Sequence, residues 1–358
     1  MDAVRQDETK MRKSSVGSGF ERAVVVVSLD AEQIWGYMDL LDEGAFCQRY
    51  PNVGDAYEGL LDRFCAAGIS ATWALVGGLT LDRMEGPRDA RLAGLPRDWI
   101  AAIPNSTEIN APLWYRRSFV RRLKAAYPQQ EIALHGGLTH LIWNDPCSTP
   151  DAIERELAGG VRALTEISVR PRSFIYPRQG IARLELLPAY GISCYRGNAP
   201  SLSARIRRKA PRAILRLLEE LGRVAPPVVW PVESLPGLWN IPASLALYPI
   251  ARTRTAVVPI QTRIERVARG LDAAVRSRGV FHYWFHPESL AEAPSGFSML
   301  DAMLEKLVRA RDAGDIEVLT MAQVADRMES TRREPVECAV PSGVGRAGAG
   351  EPKWGVTS

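Results

Sequence analysis

The chain has 358 residues, of which 46% are apolar and 24% are charged, and its formal net charge is +4. This composition is typical of a globular protein, and the charge is too small to indicate nucleic-acid binding by itself. We see no apolar run of the roughly 20 residues that a membrane helix needs and no secretory signal, so we expect a cytoplasmic protein. The five cysteines contain no CxxC pair, which argues against a disulfide framework or a cysteine zinc cluster.

Short β-branched runs alternate with helical patterns through most of the chain. Several of the predicted strands are apolar throughout, which is typical of strands buried on both faces of a parallel sheet. The alternation predicts an α/β fold, and about seven units predict a distorted (β/α) barrel. The predicted strands are residues 23–30, 69–77, 131–135, 172–177, 191–197, 279–286 and 315–320, and the predicted helices are 55–67, 149–167, 262–275 and 298–313.

The barrel domain is predicted to cover residues 21–330, between disordered tails at 1–20 and 331–358. Two stretches break the alternation and are predicted insertions, near 79–112 and 198–260. The second insertion contains a basic segment, residues 201–223. Within residues 201–225 the sequence has seven Lys or Arg and two Glu. Three interpretations of this segment stay open: a solvated helix on the barrel, contact with a phosphate-bearing substrate, or peripheral contact with an anionic membrane surface.

Chemically useful side chains lie at the predicted strand ends. Asp30 and Glu32 end the first strand, where residues two apart point the same way, and the C-terminal mouth of a barrel is where catalytic groups lie. His135 and His140 flank a Gly-Gly turn that can bring both imidazoles to one point. With one carboxylate they would make a two-histidine, one-carboxylate metal site with open positions.

Two further strand ends carry candidate residues. His282 and His286 face the same side of one strand, with His286 nearest its C-terminal end and His282 deeper, where we expect a packed histidine. Arg178 follows Pro177 at the end of another strand, where a guanidinium group could hold a carboxylate through two hydrogen bonds.

Five ordered blocks of this sequence resemble motifs of the NodB-homology polysaccharide deacetylases, carbohydrate esterase family four. The resemblance covers roughly residues 20–330 and implies a distorted (β/α) barrel that carries a metal-dependent hydrolase. The chain departs from the common pattern in placing Ala31 between its two acids, in one extra residue between its histidines, and in an Arg that follows its Pro. The blocks are SLDAEQIWG, ISATWALVG, EIALHGGLTH, FIYPRQG and VFHYWFHPESL.

The resemblance also implies roles for single residues in this chain. Which of the two acids binds the metal stays open because of the inserted Ala31. Four aromatic residues adjoin the blocks and could either stack on a sugar ring or belong to the core: Trp35, Trp143, Tyr176 and Trp284. The implied roles are Asp30 as general base, Glu32, His135 and His140 as metal ligands, Arg178 as the group that orients Asp30, and His286 as general acid.

The function that the resemblance implies is removal of an N-acyl group, acetyl in the first place, from an amino sugar or glycan precursor inside the cell. Zinc is the default ion, and cobalt, nickel and manganese stay open. One alternative is a non-catalytic carbohydrate-binding relative, and another is a deformylase that acts on a carrier-linked sugar. A third is a peripheral membrane or partner-binding protein, at the inner membrane face, that works through residues 201–223.

Overall fold

A computed structural model describes residues 20–200, 214–215, 217–219, 221, 225–247, 257–293 and 295–333. The predicted tails lie outside the described residues with two exceptions: Phe20 is described and buried, and the last helix continues to Arg333. Most of the basic segment 201–223 also lies outside them. Within these ranges no helix combines the length and the apolar character needed to cross a membrane.

One large, almost entirely parallel sheet organises the fold. Among the described residues it has ten strands, in the order β10-β11-β1-β2-β5-β6-β7-β9-β8 with β12 beside the first half of β1, and of these only β8 and β9 pair in antiparallel fashion. The remaining two strands, β3 and β4, form a small antiparallel sheet of their own. The strands are β1 (Ala23–Ala31), β2 (Thr72–Leu75), β3 (Arg83–Glu85), β4 (Asn105–Thr107), β5 (Glu131–His135), β6 (Ser173–Ile175), β7 (Cys194–Gly197), β8 (Val232–Leu235), β9 (Leu238–Pro242), β10 (Leu245–Ala246), β11 (Val280–Phe285) and β12 (Ile316–Val318).

The stretch from β9 to β10 joins the two ends of this sheet. Only Ala243 and Ser244 separate the two strands, yet β9 pairs with β7 while β10 pairs with β11. The parallel sheet therefore curls until the β9–β10 stretch meets β11. This gives seven positions around the barrel: β11, β1, β2, β5, β6, β7 and β9–β10. The expected distorted (β/α) barrel of about seven units is confirmed. The expectation that 198–260 is wholly an insertion is wrong for 238–246, which contains strands β9 and β10 of the main sheet. Pro242 makes this stretch resemble a loop in the sequence, so only its pairing with β7 and β11 reveals the strands.

Helices cover the outside of the curled sheet, and the four predicted ones are present within a few residues. Thr149 begins one of them by accepting a hydrogen bond from the backbone N–H of Ala152, and the left-handed Gly68 ends another. The predicted insertion 79–112 contains the paired strands β3 and β4 and a short helix. The helices are α1 (Glu43–Arg49), α2 (Val53–Ala67), α3 (Arg97–Ile100), α4 (Arg117–Lys124), α5 (Pro150–Glu166), α6 (Leu186–Ala189), α7 (Ile260–Ser277), α8 (Glu288–Ala291), α9 (Ser295–Asp312) and α10 (Met321–Arg333).

Alternate residues of the strands meet in a separate buried cluster. Val24 and Val26 of β1 belong to it, whereas Val25 and Val27 belong to the larger cluster that packs against the helices. Because successive side chains of a strand point to opposite faces, the first cluster marks the interior of the curled sheet. Other strands contribute one or two residues each to this interior cluster: Ala74, Ala133, Ile175, Cys194, Trp239, Ile241 and Val280.

Candidate active site

The alternation that fills the interior also places the polar residues of the candidate site. Residues two or four positions beyond an interior residue, on the same strand, point into the barrel near its C-terminal end. The interior is therefore apolar at the N-terminal end of the strands and polar at the C-terminal end. By this register the polar side chains are Ser28 and Asp30 of β1, His135 of β5, Arg196 of β7 and His282 of β11.

A buried ion pair holds Asp30. The two terminal nitrogens of Arg196 donate to its carboxylate oxygens over 2.6 and 2.7 Å, and one of them also donates to Ser28 Oγ over 3.1 Å. Burial by itself would raise the pKa of Asp30, but the guanidinium of Arg196 lowers it below the usual value. Asp30 is therefore an oriented, ionised carboxylate, and two-point pairing with an arginine leaves each oxygen able to accept one more hydrogen bond.

His282 belongs to the same cluster and is packed, as predicted. Its Nε2 lies 2.8 Å from Ser28 Oγ, and the side chain is completely buried. Burial, followed by the charge of Arg196, lowers the pKa of His282 to about 3, so the ring is neutral at physiological pH.

Three other side chains converge beside Asp30. Glu32 Oε2 lies 3.1 Å from His135 Nε2 and 2.9 Å from His140 Nε2, and the two Nε2 atoms are 3.0 Å apart. All three side chains are buried. His140 and His286 lower the pKa of Glu32 well below its usual range, although burial alone would raise it. Burial lowers the pKa of His140, which favours the neutral ring that can bind a metal ion.

The turn between the histidines is built on close backbone approaches. Gly136 has φ of +76°, and the carbonyls of Gly137 and Leu138 accept hydrogen bonds from the backbone of Gly77 and Gly78 over 2.7 Å each. A side chain at Gly137 would meet the backbone oxygen of Glu156 at 2.5 Å. The glycine pair therefore folds the chain back tightly enough for both imidazoles to reach Glu32.

Glu32, His135 and His140 fit a divalent cation. Two imidazoles and one carboxylate are one of the ligand sets of catalytic zinc sites, and tetrahedral ligands about 2.0–2.1 Å from zinc lie roughly 3.3 Å apart. The observed separations of 2.9–3.1 Å need only a small expansion. His135 Nδ1 lies 3.0 Å from the carbonyl oxygen of Ile175, which can only accept, so Nδ1 donates to it and Nε2 is the nitrogen that faces the cluster. A side chain at Gly36 would occupy the position of the Glu32 carboxylate, so the glycine leaves room for this ligand.

His286 lies across the two acids and remains partly exposed. Its Nε2 is 3.2 Å from Glu32 Oε1 and 4.0 Å from Asp30 Oδ2, and 27% of its side chain is accessible. Burial would lower its pKa, but the charges of Glu32 and Asp30 raise it to about 9. The structure thus brings together five of the residues selected from the sequence: Asp30, Glu32, His135, His140 and His286.

Arg178 does not lie where the sequence placed it. Its guanidinium pairs with Asp39 over 2.6 and 2.8 Å and is partly exposed, while Arg196 occupies the position beside Asp30. The expectation that Arg178 orients Asp30 is therefore wrong. Arg178 and Gln179 both adopt left-handed φ, so the chain turns away from the strand direction after β6. Arg196 instead lies within β7, at a position whose side chain points into the barrel.

The four candidate aromatic residues are buried, so the expectation that their faces are available to a sugar ring is not met. Trp35 is 0% exposed, and its Nε1 donates to the carbonyl of Trp114 over 2.7 Å. Trp143 and Tyr176 pack edge to face against each other. Trp284 lies closest to the candidate site, beneath the guanidinium of Arg196 at 4.1 Å, and is 7% exposed.

A stability measurement separates the two roles that the sequence left open for Trp35. We expect Trp35→Ala to lower the free energy of unfolding by about 3–5 kcal/mol, because it empties a large buried volume and leaves a buried carbonyl without its donor. Urea denaturation measures this loss. An unchanged midpoint together with weaker substrate binding would instead assign Trp35 to the substrate.

Three residues of the site region were missed in the sequence. Arg196 had a usable signal, because it is the one charged residue in the predicted strand GISCYRG. Glu156 and Glu288 had none. Glu156 belongs to an ordinary amphipathic helix pattern, Glu288 begins a helix of four residues, and distant elements set the burial of both. Burial raises the pKa of both carboxyl groups to about 7, and the charge of Glu32 adds to the effect on Glu288.

No protein-family model matches this sequence, and no curated protein matches it. Solved structures do match. A protein assigned as a polysaccharide deacetylase, from Mycobacterium smegmatis, aligns over 93% of this chain and 96% of its own with a TM-score of 0.56 and 15% identity. One with the same assignment from Pseudomonas aeruginosa PAO1 aligns over 87% and 92% with a TM-score of 0.54 and 12% identity. Puue allantoinase aligns over 86% and 90% with a TM-score of 0.55 and 13% identity. The chain therefore has the fold of these proteins, as the sequence resemblance implied.

Proposed function

We propose that this chain, which has the polysaccharide deacetylase fold, is a metal-dependent hydrolase that removes an N-acyl group from an amino sugar. The observation that carries the proposal is the convergence of Glu32, His135 and His140 at a point flanked by two further groups. These are an arginine-held carboxylate, Asp30, and a partly exposed imidazole, His286. Asp30 suits proton removal and His286 suits proton donation, and both lie at the same end of the barrel.

The metal would be held by Glu32 Oε2, His135 Nε2 and His140 Nε2. A divalent ion in such a site supplies a Lewis acid for an acyl oxygen and lowers the pKa of a water molecule toward about 7. Asp30 is not required as a ligand, because both of its oxygens already accept from Arg196.

Asp30 is placed to take the proton of the attacking water. Arg196 keeps its carboxylate ionised and fixes its orientation, which is what a general base needs in a buried setting. His286 is placed to give a proton to the departing amine, because its pKa is raised and its ring is accessible. An amine leaves poorly without such a proton, so an acid across from the base is needed for amide hydrolysis.

The test uses the full chain loaded separately with zinc, cobalt, nickel or manganese. It is incubated with free, nucleotide-linked and oligomeric N-acetyl and N-formyl amino sugars, and with allantoin, because an allantoinase shares the fold. We expect release of acetate or formate together with a free amine, loss of release with a chelator, and recovery on adding the ion. Asp30→Asn should retain the ion and lose at least about 10²-fold in rate.

Other results would redirect the assignment. Hydrolysis of allantoin with no N-acyl sugar turned over would contradict the sugar substrate while retaining a hydrolase. Sugar binding without release by the metal-loaded chain would contradict the hydrolase and favour a non-catalytic carbohydrate-binding protein. Formate release without acetate release would identify a deformylase.

A further inference from the structure

Two buried carboxylates lie behind the Glu32–His135–His140 cluster and have no place in the reaction. Glu288 begins α8 and is 0% exposed, and Glu156 lies within α5 and is 1% exposed. Neither forms an ion pair with a described lysine, arginine or histidine. A carboxylate without a cationic partner is costly to bury, so the contacts that each one makes indicate why it is there.

Glu288 holds the backbone directly after Glu32. Its Oε1 accepts from the backbone N–H of Gln33 and from the hydroxyl of Tyr57. Gln33 has φ of +44°, a left-handed conformation that a residue with a side chain adopts only when its surroundings hold it there. The Gln33 N–H belongs to the planar peptide group that joins Glu32 to Gln33, so holding it fixes the backbone of Glu32, from which the carboxylate projects.

Glu156 holds the backbone directly before His140. Its Oε1 accepts from the backbone N–H of Thr139 over 2.6 Å and from the Thr139 hydroxyl over 2.8 Å. Its backbone carbonyl accepts from the N–H of Leu138 over 3.0 Å. A side chain at Gly160 would meet the backbone of Gly137 at 2.4 Å, so α5 supports the whole turn between the two histidines at contact distance.

We propose that Glu156 and Glu288 are positioning residues that set the affinity of the cluster for a divalent cation. Each one does so by holding, through a backbone N–H, the residue next to a ligand. The inference rests on the proposed function, because it assigns a cation to Glu32, His135 and His140. A buried N–H that donates to a buried acceptor is held in one orientation, because turning it away would leave both groups unpaired. The two act on different ligands, so each can be tested alone.

The test measures the Kd for zinc of the full chain by competition with a chromogenic chelator. Glu156→Leu and Glu288→Leu remove the acceptor, whereas Glu156→Gln and Glu288→Gln keep an acceptor oxygen at Oε1. We expect the leucine variants to bind zinc about 10–100-fold more weakly and the glutamine variants to stay within about threefold of wild type. The control is Val324→Ala, which removes buried apolar volume from α10. It should lower the unfolding midpoint and leave Kd unchanged.

The outcomes separate this inference from the proposed function. A wild-type chain that binds no zinc would contradict the proposed function. A wild-type chain that binds zinc while both leucine variants bind it equally well would overturn the positioning role alone. Glutamine variants as weak as the leucine variants would also overturn it, since the acceptor would then be irrelevant. Should the leucine variants fail to fold, Glu156→Asp and Glu288→Asp keep a carboxyl group but withdraw its oxygens from the backbone N–H groups, and an unchanged Kd in both would overturn the inference.

Discussion

Glu32→Ala and His135→Ala are each expected to reduce the bound divalent ion from about one per chain to nearly none. A catalytic site of this type has only three protein ligands, so loss of one leaves two and the affinity falls steeply. The two residues come from different strand ends, yet their ligand atoms lie 3.1 Å apart. Elemental analysis of the dialysed proteins measures the loss, and the hydrolytic rate should fall with the metal content.

An exposed carboxylate provides the matched control. Glu305→Gln changes the same charge on the outer face of α9, and the variant should keep its ion. Loss in His135→Ala with retention in Glu32→Ala would remove Glu32 from the ligand set. Metal content unaffected by both changes, or no ion in wild type after reconstitution, would contradict the metal site and with it the hydrolase.

Arg196→Gln is expected to have the second large effect, on both stability and rate. Removing one member of a buried ion pair leaves the other charge uncompensated, which costs about 3–5 kcal/mol of unfolding free energy. Asp30 would then lose the partner that lowers its pKa and holds both of its oxygens. A misoriented, partly protonated base should lower the rate by at least about 10²-fold.

The paired control is Arg178→Gln. Its ion pair with Asp39 is partly exposed, and such pairs contribute about 0–1 kcal/mol. We expect its unfolding midpoint in urea and its rate to stay close to those of wild type. Equal losses in the two variants, or a larger loss in Arg178→Gln, would contradict the exchange of roles between the two arginines.

The two acids at the end of β1 are differentiated by their neighbours. Asp30 and Glu32 are separated by one residue and are equally buried, but Arg196 pairs with the first while three imidazoles surround the second. An arginine cannot give up a proton to make room for a metal ion, whereas a histidine ring can bind the ion through a nitrogen lone pair. This difference favours Glu32 as the ligand and Asp30 as the base.

The amino-acid sequence by itself predicted the α/β class and the barrel of about seven units, because strand and helix periodicities are local properties of the chain. It also selected Asp30, Glu32, His135, His140 and His286, since rare polar residues at the ends of apolar strands are visible without a structure. The resemblance to the deacetylases depended on the order of the five sequence blocks. The distances in space between the selected residues could not be obtained in this way.

Only the tertiary structure decided which arginine meets Asp30, which aromatics are core, and which carboxylates hold the ligand loops. Arg178 follows one predicted strand and Arg196 lies within another, and the choice between them depends on a left-handed turn after β6 and on the register of β7. Trp35 is buried by Trp114, and Glu288 is buried by Tyr57 and Gln33, from parts of the chain far away in sequence. Burial and pairing are properties of contacts between distant segments, and local patterns carry no information about which segments meet.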